Sequence, residues 1–73
     1  MARWRWLRRY PELRTVIVNT RTRNAFRGVL YERSRRHVLL KNVEMLRAGN
    51  ESLRMDGDVL IEQDNVDWIQ IVS

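Results

Sequence analysis

The chain has 73 residues, no cysteine, a single histidine and a formal net charge of +5. This length corresponds to one domain, residues 1–73, near the lower limit at which a hydrophobic core alone sustains a fold. The composition excludes disulfides and thiolate metal sites, and one histidine cannot by itself build a zinc site or a catalytic triad. We therefore expect no metal and no cofactor, and we expect assembly with further copies to support the fold.

The charge is divided unevenly along the chain. Residues 1–36 contain 11 arginines and two acidic residues, whereas residues 37–73 contain three basic and seven acidic residues. A basic half can bind nucleic acid, or it can meet the acidic half of another copy. The asymmetry therefore leaves two kinds of partner open.

The segment "ARWRWLRRY" predicts a short amphipathic helix over residues 1–10. Trp4, Trp6 and Tyr10 fall on one side of such a helix and most of its arginines on the other. Pro11 ends it. So short a helix is not stable alone, and we expect these three aromatic residues to contact a partner or the end of the domain.

After residue 15 the apolar residues alternate with a period of two, which indicates strands. Gly28, inside the second of these strands, marks a bend, a bulge or a close backbone approach. The stretch "RAGNESLRMDG" indicates a polar loop, and "DGD" within it a turn rather than a calcium loop. The predicted strands cover 15–20, 25–33, 37–46, 58–63 and 66–72, and together they form a small bent barrel over 15–72. The predicted core consists of Val16, Val18, Phe26, Leu30, Leu39, Ile61 and Ile69.

These segments resemble the Sm/Lsm family, which has an N-terminal helix and a five-stranded, bent antiparallel barrel. The likeness is carried by Gly28 and Leu30 in "FRGVLYERSRRHVLL" and by Ile61, Asn65 and Val66 in "VLIEQDNV". SH3-like barrels share much of this pattern. The fold class that follows is mainly β: a short N-terminal helix and then a five-stranded Sm-like or SH3-like small barrel.

The resemblance also implies an assembly, because strand 4 of one Sm copy pairs with strand 5 of the next and closes a ring. The last two predicted strands would then form a hairpin that is also the oligomer interface. The residues predicted at this interface are Val59, Leu60, Ile61, Glu62, Asp67, Trp68, Ile69 and Ile71.

The chain departs from the family at its base-binding turns. Uridine-binding members place Asp and Asn in the turn between strands 2 and 3, where this chain has Ser34 and His37. They place Arg-Gly in the turn between strands 4 and 5, where this chain has Glu62 and Gln63. A carboxylate that repels phosphate thus replaces an arginine that could stack on a base.

Two function hypotheses follow. The first is a non-enzymatic structural module that assembles through its edge strands and binds another protein, as a head, connector or capsid-cementing component of a phage virion would. The alternative is an Sm-like nucleic-acid-binding protein of the RNA-chaperone type that uses its basic turns. The candidate nucleic-acid contacts are Arg21, Arg23, Arg33, Arg35, Arg36 and His37.

Neither hypothesis includes catalysis or a small-molecule substrate. No apolar run approaches the roughly 20 residues of a membrane span, so a membrane is not an expected partner. Residues 1–10 lack the uninterrupted apolar segment of a signal peptide. The expected location is the cytoplasm, or a virion assembled there.

Overall fold

The computed structural model describes residues 13–47 and 51–73, which form one bent antiparallel sheet. The helix predicted over 1–10, and with it the contacts of Trp4, Trp6 and Tyr10, lies outside the described residues. Five of the six strands match predicted ones within a residue. The elements are β1 (Thr15–Thr20), β2 (Ala25–Arg33), β3 (His37–Leu46), β4 (Ser52–Arg54), β5 (Val59–Glu62), a 3₁₀ turn (Gln63–Asn65) and β6 (Val66–Ile71).

The sheet is organised around β3, which pairs with three strands. Its neighbours run in the order β4-β3-β2-β1-β6, and β5 also pairs with β3. Residues 37–40 of β3 face β5, and residues 44–46 face β4. Between these halves, Asn42 has a φ of 54°, a backbone conformation that asparagine tolerates better than most residues. The two halves of β3, on either side of this break, pair with different strands.

Gly28 lies at a position where β3 comes close to the backbone of β2. A Cβ atom built at this position would lie 3.0 Å from the carbonyl oxygen of Lys41 and 3.1 Å from a methyl group of Val43. The register of the β2–β3 ladder shifts between Arg27 and Val29, beside the glycine. The prediction of a bulge and a close approach at Gly28 is thus confirmed.

The core is small and lies on the concave side of the sheet. Four of the seven predicted core residues are buried, namely Val16, Val18, Leu30 and Ile61, and two more, Phe26 and Ile69, pack against them. The prediction for Leu39 was wrong, because its neighbours Val38 and Leu40 are the fully buried residues of this part of β3. Among the described residues, the buried apolar ones are Val16, Val18, Leu30, Val38, Leu40, Val43, Ile61 and Val66.

Two further predictions about the fold need correction. The sheet has six strands where five were predicted, because Ser52–Arg54 lies within the predicted polar loop and pairs with the end of β3. The last two strands are not a hairpin: β5 pairs with β3, whereas β6 pairs with β1. The 3₁₀ turn between them carries the chain from one side of the barrel to the other. In the described part of the chain, no helix has the length and apolar character needed to cross a membrane.

Candidate functional site

The turn between β1 and β2, residues 21–24, is held by a buried hydroxyl. Thr20 is only 5% exposed, and its Oγ1 donates to the carbonyl of Asn24 and accepts from the Asn24 N–H, at 3.0 and 3.1 Å. The Thr20 N–H also donates to the Asn24 carbonyl, at 2.9 Å. With the backbone closed by these bonds, Arg21 and Arg23 occupy the exposed part of the turn.

A second hydroxyl organises the turn between β2 and β3, residues 34–36. Ser34 Oγ accepts the N–H groups of Arg36 and His37, at 3.2 and 3.1 Å. The Ser34 N–H donates to the His37 carbonyl at 2.8 Å. Serine commonly closes turns in this way, because its short side chain reaches the backbone two or three residues ahead. Arg35 and Arg36 are exposed at the tip, and His37 is half-buried at its base.

Both turns bond to the 3₁₀ turn Gln63–Asn65. The Gln63 N–H donates to the carbonyl of Arg36 at 2.7 Å, and the Arg21 N–H donates to the carbonyl of Asn65 at 2.8 Å. The Arg33 side chain adds a bond from Nε to Gln63 Oε1, at 3.3 Å. Three turns that are far apart in the sequence thus meet at one end of the barrel. We call this region, residues 21–24, 33–37 and 62–65, the arginine end.

All six residues that were predicted to contact nucleic acid lie at the arginine end. These residues are Arg21, Arg23, Arg33, Arg35, Arg36 and His37. The sequence placed them at two separate turns, and the structure brings the two turns together. Guanidinium groups suit phosphate, which accepts paired hydrogen bonds from arginine.

The arginine end also contains acidic residues. A depression of about 290 Å³ is lined by Arg35, Arg36 and His37 together with Glu62 and Asp64. Glu62 was predicted as an interface residue and as a replacement for the arginine of the base-binding turn, and Asp64 was not singled out. Asp64 lies in a turn whose position depends on backbone bonds to distant segments, so no local pattern indicated its neighbours.

The predicted interface residues divide into two groups. Ile61 is a core residue, and Val59 and Ile69 pack against the core, so at an interface these three could contribute mainly through their backbones. The remaining residues are exposed: Leu60, Glu62, Asp67, Trp68 and Ile71. Within residues 13–47 and 51–73, β5 is paired along one edge to β3 and β6 along one edge to β1. Each therefore presents a second edge to which a further strand can be added.

A second depression, which we call the tyrosine groove, lies beside the loop that leads into β5. Here the Lys41 ammonium lies 4.2 Å from the centre of the Tyr31 ring and 3.8 Å from a carboxylate oxygen of Asp58. Arg54 and Asp56 complete its charged lining. No group of three or more potential ligands for a metal ion occurs among the residues described.

Comparison with known proteins identifies the fold. No protein-family model matches the sequence, and neither does any curated protein. A heptameric archaeal Sm protein is similar in structure, with a TM-score of 0.75 and 24% identity over 84% of this chain and 88% of that one. The SmAP1 heptamer of P. aerophilum gives the same TM-score and identity and covers 84% of this chain and 81% of its own. The chain therefore has an Sm-like fold.

The same fold occurs in a different kind of assembly. A chain of the NatC complex bound to CoA is similar to this protein, with a TM-score of 0.71 and 29% identity over 84% of this chain and 78% of that one. Sm-like barrels thus occur as subunits of heptamers and also as a component of a larger complex.

Proposed function

We propose that the protein is a subunit of an Sm-like oligomer that binds single-stranded nucleic acid at the arginine end. The observation that carries this proposal is the convergence of two arginine-bearing turns on one 3₁₀ turn, through the bonds from Arg21 to Asn65 and from Gln63 to Arg36. Clustered arginines bind phosphates, and the release of condensed counterions contributes much of the binding free energy.

Within residues 13–47 and 51–73, the unpaired edges of β5 and β6 support the proposed oligomer. If β5 of one copy pairs with β6 of the next, the interface is head-to-tail, and repetition of such an interface closes a ring when the rotation allows it. The similarity to two Sm heptamers supports this arrangement. A ring would place one arginine end per copy around an axis, so that one strand of nucleic acid contacts several of them.

The oligomer is tested by a substitution at the β5 edge. Leu60 is 58% exposed, and lysine at an edge strand opposes further strand pairing. We expect Leu60→Lys to leave a folded protein with an unchanged circular-dichroism spectrum and to shift its mass by light scattering towards that of one chain. The matched control is Leu53→Lys on β4, where the leucine is 51% exposed. Equal masses for wild type and Leu60→Lys at micromolar concentration would contradict pairing through β5.

Nucleic-acid binding is tested with labelled single-stranded RNA and DNA across a salt series. We expect binding that weakens steeply as the salt concentration rises, because phosphate contacts release counterions. An absence of binding at low salt would remove this part of the proposal.

A second candidate is a protein-binding subunit without nucleic acid. The observation that favours it is the similarity to a chain of the NatC complex, a larger assembly. The exposed apolar residues Leu53, Leu60 and Trp68 could contribute to such contacts. None of the three structures reported above is a virion protein, and the comparisons therefore do not support a virion component. We propose no enzymatic activity for either function.

A further inference from the structure

Phosphate binding leaves the two carboxylates of the arginine end unexplained. Glu62 ends β5 and Asp64 lies in the 3₁₀ turn, and both are exposed in the depression that Arg35 and Arg36 line. A carboxylate repels phosphate, so these side chains oppose a site that only recognises the backbone of a nucleic acid. Their position suggests that they recognise a part of the ligand other than its phosphate.

Main-chain pairing fixes the position of these acids. Glu62 is the direct partner of His37 in the β3–β5 ladder, which places the two side chains on the same face of the sheet. The bond from the Gln63 N–H to the Arg36 carbonyl then holds the 3₁₀ turn, and with it Asp64, against the arginine turn. The acidic and basic sides of the depression therefore stay adjacent without depending on flexible side chains.

Among the described residues, the acidic and basic side chains of this depression do not form ion pairs with one another. Within the described ranges 13–47 and 51–73, neither the Glu62 nor the Asp64 carboxylate lies within 4 Å of a side-chain nitrogen of Arg35, Arg36 or His37. A carboxylate only accepts hydrogen bonds, and a guanidinium only donates them. A ligand that satisfies both sides must carry an anionic group for the arginines and N–H donors for the acids.

We infer that the arginine end prefers nucleotides whose base carries an exocyclic amino group, and that Glu62 makes it favour cytidine over uridine. This inference rests on the proposed function. Aspartate and glutamate accept hydrogen bonds from the amino group of cytosine. Uracil presents a carbonyl oxygen at the same position, and an oxygen facing a carboxylate is repelled. The phosphate of the same nucleotide would bind Arg35 and Arg36 at the tip of the turn.

Cytidine and uridine provide the sharpest test because they have nearly the same size and differ in that one group. The experiment measures fluorescence anisotropy of labelled oligocytidine and oligouridine, each of about ten nucleotides, a length within the usual site sizes of single-strand binders. We expect the full-length wild type to bind oligocytidine at least fivefold more tightly than oligouridine. This ratio is at the low end of the discrimination that one good base contact provides.

The variant Glu62→Gln assigns the preference to one side chain. Glutamine keeps the shape of glutamate, but its amide can donate to the uracil oxygen as well as accept. We expect the ratio of the two affinities to fall to within about twofold. The control is Asp56→Asn, which removes the same charge at the tyrosine groove. This control should raise both affinities equally and leave their ratio unchanged. Light scattering on each variant establishes that the oligomer is intact.

The outcomes separate the inference from the proposed function. If wild type binds oligouridine as tightly as oligocytidine, the base preference is wrong and nucleic-acid binding stands. If Glu62→Gln keeps the full preference, the assignment to Glu62 is wrong. If neither oligonucleotide binds at low salt, the proposed function itself is overturned, and the inference with it.

Discussion

The arginine end and the tyrosine groove both combine cations with carboxylates, yet they differ in how those charges are used. In the tyrosine groove, Lys41 lies over the ring of Tyr31 and beside Asp58, so its charge is already engaged within the chain. At the arginine end, Arg35 and Arg36 stand on a turn that is held by the Ser34 hydroxyl and by backbone bonds, so its closure does not use the guanidinium groups. The number of charged groups thus says less about a binding surface than whether those groups already have partners.

The largest effect that this comparison predicts is on nucleic-acid affinity. The double variant Arg35→Ala/Arg36→Ala should weaken RNA binding by about 100-fold or more, because each of the two lost hydrogen bonds to a charged group contributes about 1.5–3 kcal/mol. The double variant Lys41→Ala/Arg54→Ala, which removes the same charge from the tyrosine groove, should weaken it less than about threefold. Anisotropy with one labelled RNA at fixed salt compares the two.

The salt dependence gives an independent measure of the same pair of variants. Each phosphate contact on a single strand contributes about 0.7 to the slope of log affinity against log salt concentration. The variant at the arginine end should lose about 1.4 from this slope per pair of lost contacts. A larger loss of slope in the groove variant would reverse the comparison.

A smaller effect is expected on the stability of the arginine end. Thr20→Val keeps the shape of the buried side chain but removes the hydroxyl that bonds twice to Asn24. We expect the free energy of unfolding to fall by about 1–2 kcal/mol, since partners are left unsatisfied in a part-buried setting. Urea denaturation followed by tryptophan fluorescence measures it.

Thr22→Val is the control for this change. Thr22 is exposed in the same turn, and its hydroxyl bonds to Thr20 Oγ1 at 2.9 Å and accepts from Asn24 Nδ2 at 3.4 Å. Because water can replace the exposed hydroxyl, its substitution should alter the free energy of unfolding by less than about 0.5 kcal/mol. Equal losses in the two variants would show that the turn gains nothing from the buried position of Thr20.

The smallest effect concerns the ion pair of the tyrosine groove. The Lys41 and Asp58 side chains are 38% and 51% exposed, so water screens their attraction. Asp58→Asn should lower the free energy of unfolding by less than about 0.5 kcal/mol. A loss above 1 kcal/mol in the same denaturation experiment would mean that the Lys41–Asp58 pair contributes substantially to the stability of the fold. It would contradict the expectation that water screens this pair.

Local patterns in the sequence were sufficient for most of the strands. Alternating apolar residues placed β1 and β2, and Gly28 correctly indicated the bulge. The pattern failed in β3, because "HVLLK" has apolar residues on both faces and its alternation cannot say which face is buried. It also failed for β4, where Leu53 is the single apolar residue of three and the strand forms by pairing with β3.

The candidate site could be predicted only as a set of residues. The arginines of the two turns were visible as basic clusters in the sequence. Their proximity was not, because it depends on backbone bonds that join Arg21 to Asn65 and Arg36 to Gln63 across long stretches of chain. The place of Asp64 beside them follows from the same bonds.

The pairing of β1 with β6 has a consequence for how the protein is made. Val18 lies opposite Ile69, a residue translated about 50 positions later. At synthesis rates of about 5–20 residues per second, β1 is made roughly 3–10 seconds before its partner strand exists. Throughout that interval a strand rich in β-branched residues has an open edge. On a polysome, where nascent copies are close together, this edge is the first place at which two chains could pair wrongly.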